Sequence, residues 1–116
     1  MGTIASSSKS IEAGKASITT WSPMATGDDG APVGNASRSD RSIQCTGTFG
    51  GSTVTMQGCN EDTPVNWITL TDTAGNALTF TAAGLKQCLQ VTRWIRPVIT
   101  AGTGSAFIVT LLTVGK

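Results

Sequence analysis

From Asp40 to its end the chain alternates apolar and polar residues in short runs, broken by glycine-rich breaks. A period of two marks a half-buried strand. Ile43, Cys45, Gly47 and Phe49 share one face of the first run. Gly50-Gly51 reads as a hairpin turn, and Val54, Met56 and Gly58 carry the returning face. Glycine inside a strand signals a bulge or a close backbone approach, which is the expectation at Gly58. "CNEDTPVN" is then a loop, Trp67 opens the strand "WITLT", and "DTAGN" turns the chain tightly into "ALTFT". Leu85 and Leu89, at i and i+4, point to a helical turn or short helix over Ala82–Gln90.

In "TRWIRPVIT", Trp94, Arg96, Val98 and Thr100 fall on one side of a strand and Arg93, Ile95, Pro97 and Ile99 on the other. Pro97 has no N–H to give a ladder, so it implies an edge position or a bulge. "AGTGS" turns the chain into the closing strand "AFIVTLLTV". The inward set of that strand is Phe107, Val109 and Leu111 or Ile108, Thr110 and Leu112, and the first is the more apolar. Nearer the N-terminus, Ala16–Ser22 is a strand stopped by Pro23, and residues 24–40 form a long loop rich in Gly, Asp, Asn and Pro. Residues 1–15 are small and polar, with Ile4 and Ile11 as the apolar anchors, and read as an N-terminal arm. The expected architecture is all-β: an arm over 1–15, then one domain over 16–116. That domain is an antiparallel β-sandwich, jelly-roll or immunoglobulin-like, of about seven or eight strands.

Composition agrees and removes several chemistries. Ser and Thr supply roughly a quarter of the 116 residues and glycine another 14, which suits strands and turns. The net charge of +1 gives no electrostatic reason to expect nucleic acid or an anionic membrane as partner. The chain has no histidine, so a histidine-dependent triad is excluded. No apolar run approaches the roughly 18 residues of a membrane span, and the first residues show no apolar core of a secretory signal. Cys45, Cys59 and Cys88 are odd in number and contain no CxxC pair. They are expected to be reduced, mostly buried thiols. A Cys45–Cys59 disulfide would require the two strands flanking Gly50-Gly51 to pair.

The order of motifs carries a resemblance. Gly47–Gly51 ("GTFGG"), Val54–Asn60, Asn66–Leu70 ("NWITL"), Asp72–Asn76 ("DTAGN"), Thr79–Gly84 ("TFTAAG") and Arg93–Pro97 ("RWIRP") follow one another before a last apolar strand. Over roughly residues 43–114 this resembles small virion proteins of tailed bacteriophages, of the capsid cement or decoration type. Cys59 stands where that pattern has Ser, and Glu61-Asp62 replaces its usual Asp-Gly. The resemblance implies a non-enzymatic, cofactor-free protein on the outer capsid surface, assembled in the host cytoplasm. Its implied partners are the major capsid protein and, as in many such proteins, two further copies in a homotrimer. A tail or head-fibre component, or a glycan-binding β-sandwich module, is the alternative.

The residues themselves offer no catalytic, cofactor or metal set. The candidates for partner contact are Ile4, Ile11, Trp67, Arg93, Trp94 and Arg96. Tryptophan and arginine are enriched at interfaces, and Trp21, Trp67 and Trp94 are also the residue type that stacks on sugars. Arg93 and Arg96 are expected on opposite faces of a regular strand. Glu61 and Asp62, with Asp72 and Asp28-Asp29, could gather around Ca2+, although solvated loop acids are the expectation preferred.

Overall fold

Each alternating run becomes a strand whose apolar face turns inward. The computed structural model describes residues 2–34 and 40–114. The elements are β1 (Thr3–Ile4), β2 (Ser6–Ile11), β3 (Ala16–Met24), β4 (Asp29–Gly30), β5 (Val33–Gly34), β6 (Asp40–Thr48), β7 (Thr53–Cys59), β8 (Ile68–Thr69), β9 (Thr79–Phe80), β10 (Gly84–Cys88), β11 (Trp94–Thr100) and β12 (Ser105–Val114). Seven of these have five residues or more, and the other five are two-residue segments. One sheet has the order β1-β4-β11-β7-β8, with β5 also on β11 and β9 also on β7. The second has the order β10-β6-β12-β3-β2. The protein is thus an all-β sandwich, as the alternation requires.

The core lies between the sheets. Phe107, Val109 and Leu111 of β12 face inward, the more apolar of the two sets the sequence offered. They meet Trp21 and Met24 of β3, Ile43 and Cys45 of β6, Val54 and Met56 of β7, and Ile95 and Ile99 of β11. Each such side chain contributes about 1.5–3 kcal/mol by leaving water. Phe49 closes one end edge-to-face on Phe107, with ring centroids 5.0 Å apart. Cys45, Cys59 and Cys88 are free and buried. Burial pushes the Cys45 thiol up to about 11, so it packs as a small hydrophobe. Gly58 is a close approach: an added Cβ would lie 2.7 Å from both Leu70 and Thr92.

Several expectations are corrected. Gly50-Gly51 does not join a hairpin. β6 lies in the second sheet and β7 in the first, so the turn from Phe49 to Ser52 carries the chain across the sandwich. Cys45 and Cys59 are therefore not on paired strands. Ala82–Gln90 is not helical, because Gly84–Cys88 pairs residue for residue with Arg41–Cys45 as β10. That ladder buries Cys88, and it leaves Leu85 and Leu89 67 % and 56 % exposed. The first strand does not stop at Pro23 but runs to Met24. A register shift against β12, from Val109–Trp21 to Phe107–Met24, absorbs Ser22 and Pro23. Pro97 is not on an edge strand, since β11 is interior, but it does sit where the ladder on one side slips register by one residue. On one side Pro97 stands opposite Met56. On the other, the described ladder passes from Val98–Asp29 to Ile95–Val33, and the missing donor falls in that gap. The described part of the long loop includes two short strands, β4 and β5. The segment expected as an arm is extended, and it lies along the domain. Thr3–Ile4 runs parallel to Asp29–Gly30 in one sheet, and Ser6–Ile11 pairs with Ala16–Trp21 in the other.

Polar groups enter the core at one end. Arg41 is 1 % exposed and donates Nη2 to the Thr92 carbonyl oxygen at 3.0 Å. Desolvation lowers its pKa, opposed by the field of Cys88. Beside it in the ladder lies Thr113, whose buried hydroxyl has no hydrogen-bond partner among the described residues. A buried hydroxyl without a partner costs about 1–3 kcal/mol. Thr113→Val is expected to stabilise the fold by about 1 kcal/mol and raise Tm by several degrees in a thermal melt.

Candidate functional site

The outer face of the first sheet collects the aromatic and cationic residues. Inward Ile95, Pro97 and Ile99 force Trp94, Arg96 and Val98 of β11 outward. Gln57 of β7 is the ladder partner of Arg96. The Arg96 Nε donates to Gln57 Oε1 at 3.0 Å, and Nη1 donates to Asp29 Oδ2 at 3.3 Å. Held at both ends, the guanidinium lies over the Trp67 ring, with Cζ 4.2 Å from its centroid. That distance is well within cation–π range. Gln57 and Asp29 thus aim Arg96. Gln57 escaped sequence reading: alternation places it outward on its own strand, but only the fold shows that this strand pairs with the arginine-bearing β11. Asp29 was weighed as a calcium ligand, and here it is an ion-pair partner.

Arg93 precedes β11 rather than lying on its inner face, which corrects the expectation that the two arginines face apart. Its backbone N–H donates to Asn60 Oδ1 at 2.9 Å, and its guanidinium rests 5.1 Å from the Trp94 ring centroid. Trp94 Nε1 donates to the Glu61 carbonyl oxygen at 2.9 Å. Trp67 and Trp94 are half-buried and Arg93 is exposed. Trp21 is not part of any platform: it is fully buried, with Nε1 donating to the Ala31 carbonyl oxygen at 2.9 Å. Ile4 packs against the core, and Ile11 ends β2 half-exposed.

The acidic loop positions these rings. Glu61 Oε1 accepts the N–H groups of Asn66 at 2.8 Å and Val65 at 3.0 Å, and Oε2 accepts Asn66 Nδ2 at 2.8 Å. The Cys59 thiol donates to Oε1 at 3.2 Å. The bonds from Asn66, then those from Val65 and Cys59, hold the Glu61 carboxyl at about 2, well below its ordinary 4.5. Asp72 likewise accepts from Ala74 and Asn76 within its own turn, and Asp28 accepts from Gly2 and Ala25. Asp62 is exposed on the same loop. These carboxylates tie down loops of their own, each at a different place.

The shift at Glu61 has a sign. A carboxyl whose folded value is depressed stabilises the fold above its unfolded value, and that contribution is lost as pH falls through the folded value. Glu61→Gln is therefore expected to loosen the loop at neutral pH, with a red shift and broadening of tryptophan emission. The difference from the parent protein should shrink between pH 4.5 and about 2, followed by fluorescence against pH.

No family model matches this sequence, and no curated protein sequence matches it. Among solved structures, the SPBc2 prophage-derived protein YomS is similar with a TM-score of 0.63 at 7 % identity, over 84 % of this chain and 94 % of that one. Peruvianin-I, a cysteine peptidase from Thevetia peruviana latex, gives 0.48 at 13 % identity, over 94 % of this chain and 61 % of that one. A cupin domain from Bordetella pertussis gives 0.46 at 10 % identity, over 100 % and 99 %. The likeness to YomS is one of fold, and the two lower scores carry nothing further.

Proposed function

We propose that this protein is a structural component of a bacteriophage virion, and within that role a cement or decoration protein of the capsid. It docks on the major capsid protein at capsomer junctions on the outer surface, through the outer face of the first sheet, as a homotrimer. It is assembled with the shell in the host cytoplasm and works by buried area, without making or breaking bonds. The observation that carries this reading is the Trp67–Arg96 stack, fixed by Gln57 and Asp29 and still half-exposed. Pre-ordered aromatic and arginine side chains lose little freedom on binding, which is what makes such residues anchors. The fold likeness to a prophage-derived protein over 94 % of that chain supports the phage context, as does the order of motifs from Gly47 to Pro97.

The mechanism is linkage. A ligand that binds the assembled shell and not its dissociated subunits raises the free energy needed to take the shell apart. Purified protein added to particles made without it should sediment with them to saturation and raise the temperature at which they rupture. Failure to bind, or binding with no change in rupture temperature, contradicts the cement role. Arg96 covers one face of the Trp67 ring, so a glycan-binding module would have only the other face to stack on. A tail or head-fibre component would bind only at a few sites per particle.

A further inference from the structure

The turn between β2 and β3 is strained. Glu12, Ala13 and Gly14 take φ values of 52°, 57° and 85° in succession. The left-handed region suits glycine, and side chains with a Cβ enter it at a steric cost. Glu12 and Ala13 both bear that cost, and neither is Asn or Asp, the non-glycine residues that enter the region most readily. Lys15 N–H to the Glu12 carbonyl oxygen, at 3.1 Å, closes the turn.

The segment held by this turn is lightly anchored. Ser6–Ile11 pairs with Ala16–Trp21 through the backbone, and four of its six side chains are exposed. The Ser8 and Thr19 hydroxyls meet at 2.9 Å. Further back, Ile4 packs against the core while Gly2 and Ile4 accept backbone bonds from Asp29 and Ala31. A second copy of this chain can supply every one of these contacts in the same register. The strain of the closed turn exists only when the segment folds back on its own β3.

We infer that residues 2–11 exchange between copies of this chain, with Glu12–Gly14 as the hinge. In the exchanged form the turn straightens, and β2 of one copy pairs with β3 of the next. Short hinges under strain favour such exchange. The closed form keeps the advantage of high effective concentration, so exchange grows with protein concentration. The inference concerns the purified chain alone and stands or falls independently of the capsid reading.

The ladder gives a direct test. A Ser8→Cys, Thr19→Cys double variant places two thiols where the hydroxyls now touch. Oxidation then yields an intrachain disulfide in the closed form and an interchain one in the exchanged form, read on non-reducing gels over a concentration series. Ser8→Cys alone controls for random cross-linking. Interchain product is expected to rise with concentration. Adding E12G/A13G, which relieves the turn, should lower it several-fold. Adding Ala13→Pro should make it dominant, because proline fixes φ near −65° and bars the left-handed region to the residue before it. Intrachain bonding at every concentration, or interchain bonding that the two glycines leave unchanged, overturns the inference. If the proline variant does not fold, the parent and the glycine variant still decide.

Discussion

Gly102→Ala is expected to cost about 3–5 kcal/mol and to lower Tm by about 15 °C or more. Gly102 has φ 62°, and a Cβ there would lie 2.5 Å from Gly50 O, Gly51 C and Ser52 N. Those are backbone atoms and cannot swing aside as a side chain could. The contact is between the two turns that carry the chain from sheet to sheet, Phe49–Ser52 and Thr100–Thr103, stacked at one end of the sandwich. Buried Ser52 ties them: its hydroxyl donates to the Ala101 carbonyl oxygen at 2.8 Å and accepts from Gly104 N–H at 2.9 Å. Thr103 N–H reaches Gly50 O at 3.0 Å. Displacing Gly102 therefore breaks bonds as well as straining φ. Gly75→Ala is the control, with φ 88° and nothing within 4 Å. It should cost only the left-handed penalty, about 1–2 kcal/mol. Parallel denaturant melts check both, and a Gly102 variant no worse than the Gly75 variant would show that the turns do not lock the ends.

The same turns mark where sequence reading stops. Alternation told which side of each strand is buried, because burial acts residue by residue. Phe107, Val109 and Leu111, and Ile95 and Ile99, all follow it. Alternation does not tell which strands pair. Gly50-Gly51 between two runs looks the same whether it closes a hairpin or arches between sheets, since both need positive φ and both bury the same faces. The distinction depends on Ser52 and Gly102, which are far apart in sequence from the partners they choose. β10 was hidden differently: Leu85 and Leu89 suggested a helix by spacing, but an open β6 edge offered backbone partners that spacing cannot register.

Arg96→Ala and Trp67→Ala are each expected to weaken attachment to the particle by about 30-fold, the loss of roughly 2 kcal/mol typical of an interface anchor. Neither should unfold the domain. Arg96 is 21 % exposed and its pair with Asp29 is near the surface, where such pairs add at most about 1 kcal/mol. Because the two side chains stack, the double variant should lose much less than the sum of the singles. Binding isotherms on particles, with circular dichroism as the folding control, separate these effects. Variants that bind as the parent does would move the docking surface elsewhere.

This site was half legible. Trp67, Trp94, Arg93 and Arg96 stood out by residue type, and the structure brings them to one face. Their ordering was not legible, because it depends on Asp29 and Gln57, which reach Arg96 across sequence separations of 67 and 39. Glu61 drew attention as an acid and proves to be the fastener of its own loop.

Quantitative mass spectrometry of purified virions tests the central claim most directly. A shell-covering cement protein should be present at a copy number of the same order as the major capsid subunit. Absence from the particle, or a copy number far below that of the capsid subunit, would contradict the account.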